Sequence, residues 1–319
     1  MALGGRDLVA GAPHATGRVR GVRGARRARR AWGGGQGGRD LVAYLFLAPY
    51  LLLFGVFTLA PAAAGVAISF THWDILGTPT FAGLSNFQQI FADSQFIQAL
   101  GNTFYYLVLT AVPLVVLGLA LALLLNQRLR GRAVARTVVY LPQVVMISAV
   151  GLLWQWIYDQ NYGPLNYYLG KLGIPAIGWL DNVNAAMPAL ALTTLWWTVG
   201  TNAVIYLAGL QDIPDDLYEA ARIDGAGRWA LFRYITVPLL QRVNAFVIPL
   251  TVIASWRVFG QSYVMTGGGP QGRTFVVVQY IYQTAFQNFQ MGPAAAASVV
   301  LLLITLAFTI VQLRAMRVL

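Results

Sequence analysis

One short polar segment, residues 212–240, lies between two long apolar runs and holds most of the acidic side chains in its half of the chain. Asp212 can cap a helix there, and the acidic residues after it suit the positive end of the helix dipole. Glu219 follows them, and Ala220 and Ala221 add small side chains that allow another surface to approach closely. Gly225 and Gly227 predict the end of that helix and a sharp reversal. The pattern predicts a helix that binds a partner in water; a hairpin packed on its own bundle is the alternative.

A second group of side chains lies inside the two flanking apolar runs and suits sugar binding. A sugar has apolar C–H faces and many hydroxyls, so aromatic faces and neutral hydrogen-bonding groups recognise it. Indoles at the membrane interface and hydrogen bonds between helices are the alternative explanation. The candidate substrate path consists of Thr194, Trp196, Trp197, Thr201, Asn202, Thr251, Ser255 and Trp256.

Several kinds of chemistry are missing from the sequence. There is no cysteine, and His14 and His72 are too far apart for a histidine metal site, so no metal site is predicted. The only lysine is Lys171, which is not in a phosphate-binding loop motif. Enzymatic nucleophile–base motifs are also absent, which argues against a membrane-embedded enzyme.

The sequence also gives no support for transport driven by an ion gradient. An autonomous carrier usually places ionisable groups near the membrane midplane. Here the acidic residues lie outside the apolar runs, and Arg257, inside or at the end of the fifth run, is the one candidate for an ionisable group near the midplane. It either pairs with a substrate phosphate or extends toward lipid headgroups. If the protein pumps, the energy enters through a partner.

The composition predicts a polytopic membrane protein. The chain has 319 residues, of which 57% are hydrophobic and only 10% charged, against about 25% charged in soluble domains. Six apolar runs are each long enough to cross a bilayer. They span residues 41–70, 99–125, 134–157, 185–210, 243–264 and 293–313.

The basic residues predict the orientation of these runs. Nineteen of the 22 basic residues fall on one side if both termini are cytoplasmic. Nine of them are arginines in residues 1–39, a segment rich in glycine and alanine that we expect to be a disordered cytoplasmic tail. Membrane anchoring is the favoured role for this tail, and RNA binding is the alternative. Residues 40–319 form the predicted transmembrane domain, beginning with an uncleaved first helix.

The spacing of the polar segment resembles the EAA motif of ABC-importer permeases. The matching positions are Glu219, Ala220, Ala221, Gly225, Ile235 and Pro238. Leu207–Ala226, Tyr263–Pro270, Tyr280–Tyr282 and Gly292–Ala296 are similar to the carbohydrate-uptake subfamily, of the maltose or glycerol-3-phosphate type. The resemblance covers residues 40–319 and excludes the arginine-rich tail.

The resemblance implies a fold and a mechanism. It implies an all-α polytopic protein with about six transmembrane helices and a cytoplasmic coupling helix in residues 212–240. Glu219 would meet basic residues of a separate ATPase subunit, Ala220 and Ala221 would allow seating, Gly225 would hold the turn, and Asp224 would brace it. Ile235 and Pro238 complete the coupling motif.

The same resemblance implies the partners and the cellular location. The partners are a second permease, two ATPase subunits that hold ATP and Mg²⁺, and an extracytoplasmic solute-binding protein, with no nucleic acid. The chain itself would bind no cofactor and would sit in the cell membrane. A sugar or oligosaccharide is the expected substrate; glycerol-3-phosphate or a polyol phosphate, and an autonomous secondary carrier, are the alternatives.

Overall fold

The computed structural model describes residues 36–75, 77–127 and 130–316, with side chains from residue 44 onward. The chain divides into two compact units, Met1–Pro61 and Ala62–Leu319. Most of the predicted tail lies outside the described residues, so its disorder stays a prediction. The first helix begins at Gln36, slightly before the predicted start of the transmembrane domain.

Helices dominate the described residues, which confirms the all-α prediction. Fifteen α-helices are labelled here in chain order: α1 Gln36–Phe54, α2 Ala60–Ile68, α3 Ser85–Ala92, α4 Ser94–Leu125, α5 Arg132–Tyr140, α6 Ile147–Tyr158, α7 Pro164–Lys171, α8 Ala186–Gln211, α9 Asp215–Ile223, α10 Arg228–Leu231, α11 Val237–Leu239, α12 Gln241–Trp256, α13 Gly260–Met265, α14 Val277–Tyr282 and α15 Met291–Ala315. Two short antiparallel strands, β1 Thr71–His72 and β2 Thr80–Phe81, pair Thr71 with Phe81.

Five helical stretches within the described residues are long and apolar enough to cross a membrane. They are Tyr44–Ile68, Ser94–Leu125, Ala186–Gln211, Gln241–Met265 and Met291–Ala315. A sixth span is reached if the bent pair Arg132–Val144 and Ile147–Tyr158 is counted as one. The prediction of about six spans is therefore confirmed.

The third span, predicted over residues 134–157, is sharply bent. Its two halves meet at an angle of 98°. Pro142 has no N–H to donate, residues Leu141–Val144 tighten into a 3₁₀ turn, and Val145 is extended. In lipid such a break needs other groups to satisfy the freed backbone, and the indole Nε1 of Trp197 donates to the Val145 carbonyl at 3.1 Å.

Glycines let this broken span and α4 approach α8 closely. A Cβ on Gly200 would lie 2.3 Å from the Val139 carbonyl oxygen, and one on Gly118 would lie 2.7 Å from the Cβ of Asn202. Small residues at such contacts are typical of helix packing in membranes. The central helix α8 is thereby held between α4 and the broken span.

The second unit has two chemically distinct ends. At one, here called the basal end, a buried cluster joins Leu125, Leu210, Ile213 and Leu240, and the described arginines of the 2–3 and 4–5 connections follow these helix termini. At the other, the distal end, Tyr158, Met187 and Met265 belong to one buried cluster. The described arginines of these two connections thus share one end of the second unit.

Candidate functional site

A cavity of about 470 Å³ opens inside the second unit, between α4, α8, α12 and the break in the third span. Hydroxyl, amide and aromatic groups are mixed with apolar side chains in its wall. The polar and aromatic lining residues are Tyr106, Gln143, Thr194, Trp197, Thr198, Thr201, Asn202, Thr251, Ser255, Arg257, Phe259 and Gln261. None of the described residues that line it is Asp or Glu.

Six of the eight predicted path residues line this cavity: Thr194, Trp197, Thr201, Asn202, Thr251 and Ser255. The four on α8 are spaced by the helical repeat, which places them on one face of that helix. The geometry therefore brings the predicted residues of the fourth and fifth spans together, while contact with a substrate stays a prediction.

Trp196 and Trp256 do not line this cavity, so the structure does not bring them together with the other six, and their place on a substrate path stays a prediction. Trp196 lies on a different face of α8 from Trp197, is 41% exposed, and packs edge-on against Trp154 at 5.6 Å. Trp256 is buried in the core, where its ring lies 6.4 Å from Phe104 and 5.6 Å from Phe308. Trp256 therefore packs inside the core, whereas Trp196 packs against Trp154 on one side and leaves much of its ring exposed.

Hydrogen bonds between helices fix much of the cavity wall. The hydroxyls of Tyr106 and Thr194 lie 2.6 Å apart, and the Gln261 amide donates to Thr194 at 3.1 Å. The Asn202 amide donates to the Thr251 hydroxyl at 3.1 Å. Such bonds hold polar groups at set positions, so the wall presents a preorganised pattern.

Two polar atoms of the wall are buried without a hydrogen bond to any described residue. They are the hydroxyl oxygen of Thr201 and the side-chain carbonyl oxygen of Gln143. Buried polar groups normally find a partner, so we expect each atom to bond a water or a ligand once the cavity is filled. Sequence reasoning missed Gln143; its position beside Pro142, at a break in an apolar run, was the available signal.

Arg257 caps the end of α12 at the interruption between α12 and α13, within the stretch Gln241–Met265. It borders the cavity on one side and, on the other, an apolar groove that includes Leu301, Leu302 and Leu306. No carboxylate among the described residues forms an ion pair with it. A charged side chain inside a span marks a functional position by default.

The polar segment forms helix α9 with the predicted glycine end. Gly225 has a φ of +87°, its N–H donates to the Arg222 carbonyl at 3.0 Å, and the Ala226 N–H donates to the Ala221 carbonyl at 2.9 Å. These two bonds form a Schellman motif, which needs a residue in the left-handed region. The helix begins after Pro214, and Asp212 instead ends α8, so Asp212 does not cap α9 as expected.

The polar segment, residues 212–240, folds into what we call the basal hairpin, and it exposes most of the predicted coupling residues. Glu219, Ala220, Asp224, Gly225 and Pro238 are exposed, while Ala221 and Ile235 are half-buried.

The underside of the hairpin is anchored to the bundle. The hydroxyls of Tyr218 and Thr236 lie 3.0 Å apart and join α9 to the segment before α11. Ile213 and Leu240 pack into the basal core. The hairpin is thus fixed on one side and open on the other.

Comparison with known proteins identifies the family. Residues 114–315 match the family described as binding-protein-dependent transport system inner membrane component. The chain belongs to this family.

Two relatives align with this chain over most of its length. A probable ABC transporter permease, YurN of Bacillus subtilis, is 36% identical over 86% of this chain and 96% of its own length. The trehalose/maltose transport system permease MalF of Thermococcus litoralis is 35% identical over 85% of this chain and 92% of its own.

Solved structures share the fold. A bacterial ABC transporter involved in the import of the acidic polysaccharide alginate aligns with a TM-score of 0.77 and 26% identity, over 90% of this chain and 98% of that one. A family member of this kind is a membrane-spanning transport subunit of a binding-protein-dependent system and is not an enzyme.

Proposed function

We propose that this permease moves a sugar or oligosaccharide, delivered by an extracytoplasmic solute-binding protein, into the cell. The cavity carries the proposal, because neutral hydroxyls and amides line it together with Tyr106 and Trp197. Such a wall complements hydroxyls and C–H faces at once. Relatives named for trehalose/maltose, starch degradation products and arabinooligosaccharides support this substrate class.

The two unpaired atoms are hydrogen-bonding groups for a ligand in the cavity. The Thr201 hydroxyl both donates and accepts, and the Gln143 carbonyl oxygen accepts. A sugar hydroxyl satisfies either group, whereas an apolar solute leaves both buried and unpaired, at a cost of about 1–3 kcal/mol each.

Uptake of labelled sugars tests this assignment. Thr201→Val keeps the shape and removes the hydroxyl, and should lower uptake of the transported sugar about tenfold if one hydrogen bond of about 1.4 kcal/mol is lost. The assay uses proteoliposomes with the complete transporter and its binding protein, and a panel of trehalose, maltose, maltotriose, arabinotriose and alginate trisaccharide.

A matched control removes a hydroxyl elsewhere. Thr305→Val lies on α15, where the hydroxyl bonds the Leu301 carbonyl of its own helix at 2.9 Å. Equal uptake by Thr201→Val and Thr305→Val would refute the cavity as the sugar site.

The basal hairpin is the proposed site of energy input, as a coupling helix docked to a separate ATPase. Ile223, Trp229 and Tyr234 are 86%, 73% and 75% exposed. Large apolar side chains clustered at a polar surface indicate a partner. Glu219 would face basic residues of the ATPase subunit, with Ala220 and Ala221 allowing close seating.

We further assign nucleotide binding to the partners. ATP and Mg²⁺ would be held by two ATPase subunits, and a second permease would complete the membrane pathway. Closure of the ATPase pair would rock the permeases between outward and inward states.

Two charge reversals test the coupling site. Glu219→Lys should abolish sugar-stimulated ATP hydrolysis and reduce co-purification of the ATPase, because it places a cation against basic residues. Asp181→Lys, the same change in a distal loop, is the control. Retained stimulation in Glu219→Lys would contradict the docking assignment.

The orientation is proposed from the basic basal end, with both termini in the cytoplasm of a multi-pass cell-membrane protein. The chain has no cysteine, so single cysteines report side directly. Arg130→Cys should be protected from a membrane-impermeant maleimide in intact cells, and Asp181→Cys should react. The reverse labelling would overturn the orientation.

Arg257 favours a second candidate, an anionic sugar or a polyol phosphate, because its charge borders the cavity without an ion-pair partner among the described residues. Arg257→Gln should then abolish uptake of glycerol-3-phosphate or alginate trisaccharide and spare maltose. A uniform effect on all of these solutes would reject charge recognition.

A further inference from the structure

Four aromatic side chains form an unbroken series of ring contacts beside the cavity. Phe259 contacts Tyr263 with ring centroids 5.0 Å apart and Tyr282 at 5.4 Å. Tyr282 also contacts Tyr263 at 5.4 Å and Phe286 at 5.5 Å. We call these four residues the aromatic ladder, and Tyr282 is its hub because it touches all three other rings.

The ladder connects the cavity with the distal surface. Phe259, at one end, belongs to the cavity wall. Phe286, at the other, is 60% exposed and lies in the π-helical turn Gln283–Gln287 that leads to the start of α15. The chain next to it pairs with the segment that follows β1, through the bridge of Asp74 with Gln290. A ring surface therefore runs from outside to the site.

Buried polar contacts on the far side of α14 hold the ladder in place. The Tyr280 hydroxyl donates to the Asp93 carboxylate at 2.8 Å, and the Val277 N–H donates to the Thr103 hydroxyl at 3.0 Å. These bonds attach α14 to the beginning of α4. Tyr282 therefore faces away from a fixed support and does not rely on its own ring contacts for position.

The rings differ from the lipid-type surface nearby. The groove on the other side of Arg257 is lined mainly by aliphatic side chains, including Ile253, Leu301 and Leu306. Aliphatic groups suit lipid tails, whereas aromatic faces with phenolic hydroxyls suit a ligand that is apolar on one face and wet on its edge. A sugar ring has that character, and the ladder ends in the cavity proposed to bind it.

We propose that the aromatic ladder is a sugar-binding track, on which an incoming sugar stacks between the distal surface and the cavity. The proposal rests on the sugar-import function and adds to it a second binding region outside the cavity. Adjacent rings allow an oligosaccharide to contact two or more faces at once, so longer sugars should depend on the track more strongly than disaccharides.

The test replaces the hub ring. Tyr282→Leu should lower uptake of maltotriose roughly fivefold and of maltose about twofold, from the loss of aromatic contacts. Tyr282→Phe, which keeps the ring, should stay close to wild type. Phe286→Leu alters only an exposed end of the ladder and should give a smaller loss with the same dependence on sugar length, even if Tyr282→Leu folds poorly.

The control removes an exposed tyrosine elsewhere at the distal end. Tyr167 is 61% exposed and its ring contacts Tyr168 at 5.4 Å, but neither lines the cavity. Tyr167→Leu should transport both sugars normally.

The outcomes separate the track from the import function. If the wild type transports sugar and the ladder variants match Tyr167→Leu, the track is refuted while the function stands. Loss of the second permease from purified Tyr282→Leu complexes would instead make the ladder a subunit contact and overturn the proposal. Failure of the wild type to transport any sugar of the panel would overturn the function and the track together.

Discussion

Adding one methyl group at Gly200 should displace the broken third span. A Cβ there would lie 2.3 Å from the Val139 carbonyl oxygen, 2.9 Å from the Tyr140 Cα and 3.0 Å from the Val139 carbonyl carbon. All three are backbone atoms, so no side-chain rotation relieves the contact. Ordinary carbon contacts begin near 3.5 Å, so the segment must move by about 1 Å.

The expected cost of Gly200→Ala is about 1–3 kcal/mol, the usual penalty for overpacking. Gly101→Ala is the matched control, since it lies inside α4 with no atom within 4 Å of its added Cβ. Alanine in an open helical position stabilises by roughly 0.5–1 kcal/mol. The two variants should therefore change stability in opposite directions and differ by about 1.5–4 kcal/mol.

Thermal unfolding of the purified transporter and sugar uptake are the two measurements. Gly200→Ala should unfold at a lower temperature and transport more slowly, because the displaced segment carries Gln143 and Ile147 of the cavity wall. Gly101→Ala should match or exceed wild type in both. Equal stability of the two variants would refute the close packing of the broken span on α8.

Three further predictions concern side chains that form hydrogen bonds. Trp197→Phe leaves the carbonyl at the break of the third span without its indole donor and should cost about 1–3 kcal/mol in thermal unfolding; an equal loss in Trp196→Phe would argue against that bond. Asn86→Ala removes two hydrogen bonds, of 2.9 and 2.8 Å, to the Ser69 and Thr71 carbonyls. Limited proteolysis should then cut the β1–β2 hairpin faster, and unchanged cleavage would contradict this. Burial, with the hydrogen bond and charge of Asp93, raises the pKa of Tyr280. The protonated phenol therefore contributes stability that is fully present below its ordinary pKa of about 10 and is lost as pH rises toward the raised pKa. Tyr280→Phe should thus lose less stability than wild type as pH rises above about 10, and parallel alkaline unfolding curves of the two proteins would reject the effect.

The polar segment of residues 212–240 was predictable because its structure is local. The end of α9 depends on two backbone hydrogen bonds within six residues and on a glycine with positive φ at Gly225. Helix dipole, cap and turn preferences act at the same short range. The predicted cap at Asp212 was wrong, because α8 continues to Gln211 and Asp212 forms the C-terminal end of α8.

The cavity was predictable only in part, because a helix sequence gives a periodicity but not the direction of its neighbours. Thr194, Trp197 and Thr201 share a face of α8, as their spacing requires. Whether an indole packs or faces a cavity depends on other elements: Phe104 and Phe308 enclose Trp256, and Trp154 covers Trp196.

The sequence by itself determined the membrane class, the number of spans, the basic end and the polar basal hairpin, since hydropathy, charge counting and turn chemistry act along the chain. Only the tertiary structure decided the 98° break of the third span, the place of Gln143 in the cavity and the ring series that ends at Phe259. These features join residues far apart in sequence, and the space that neighbouring helices leave or fill determines them.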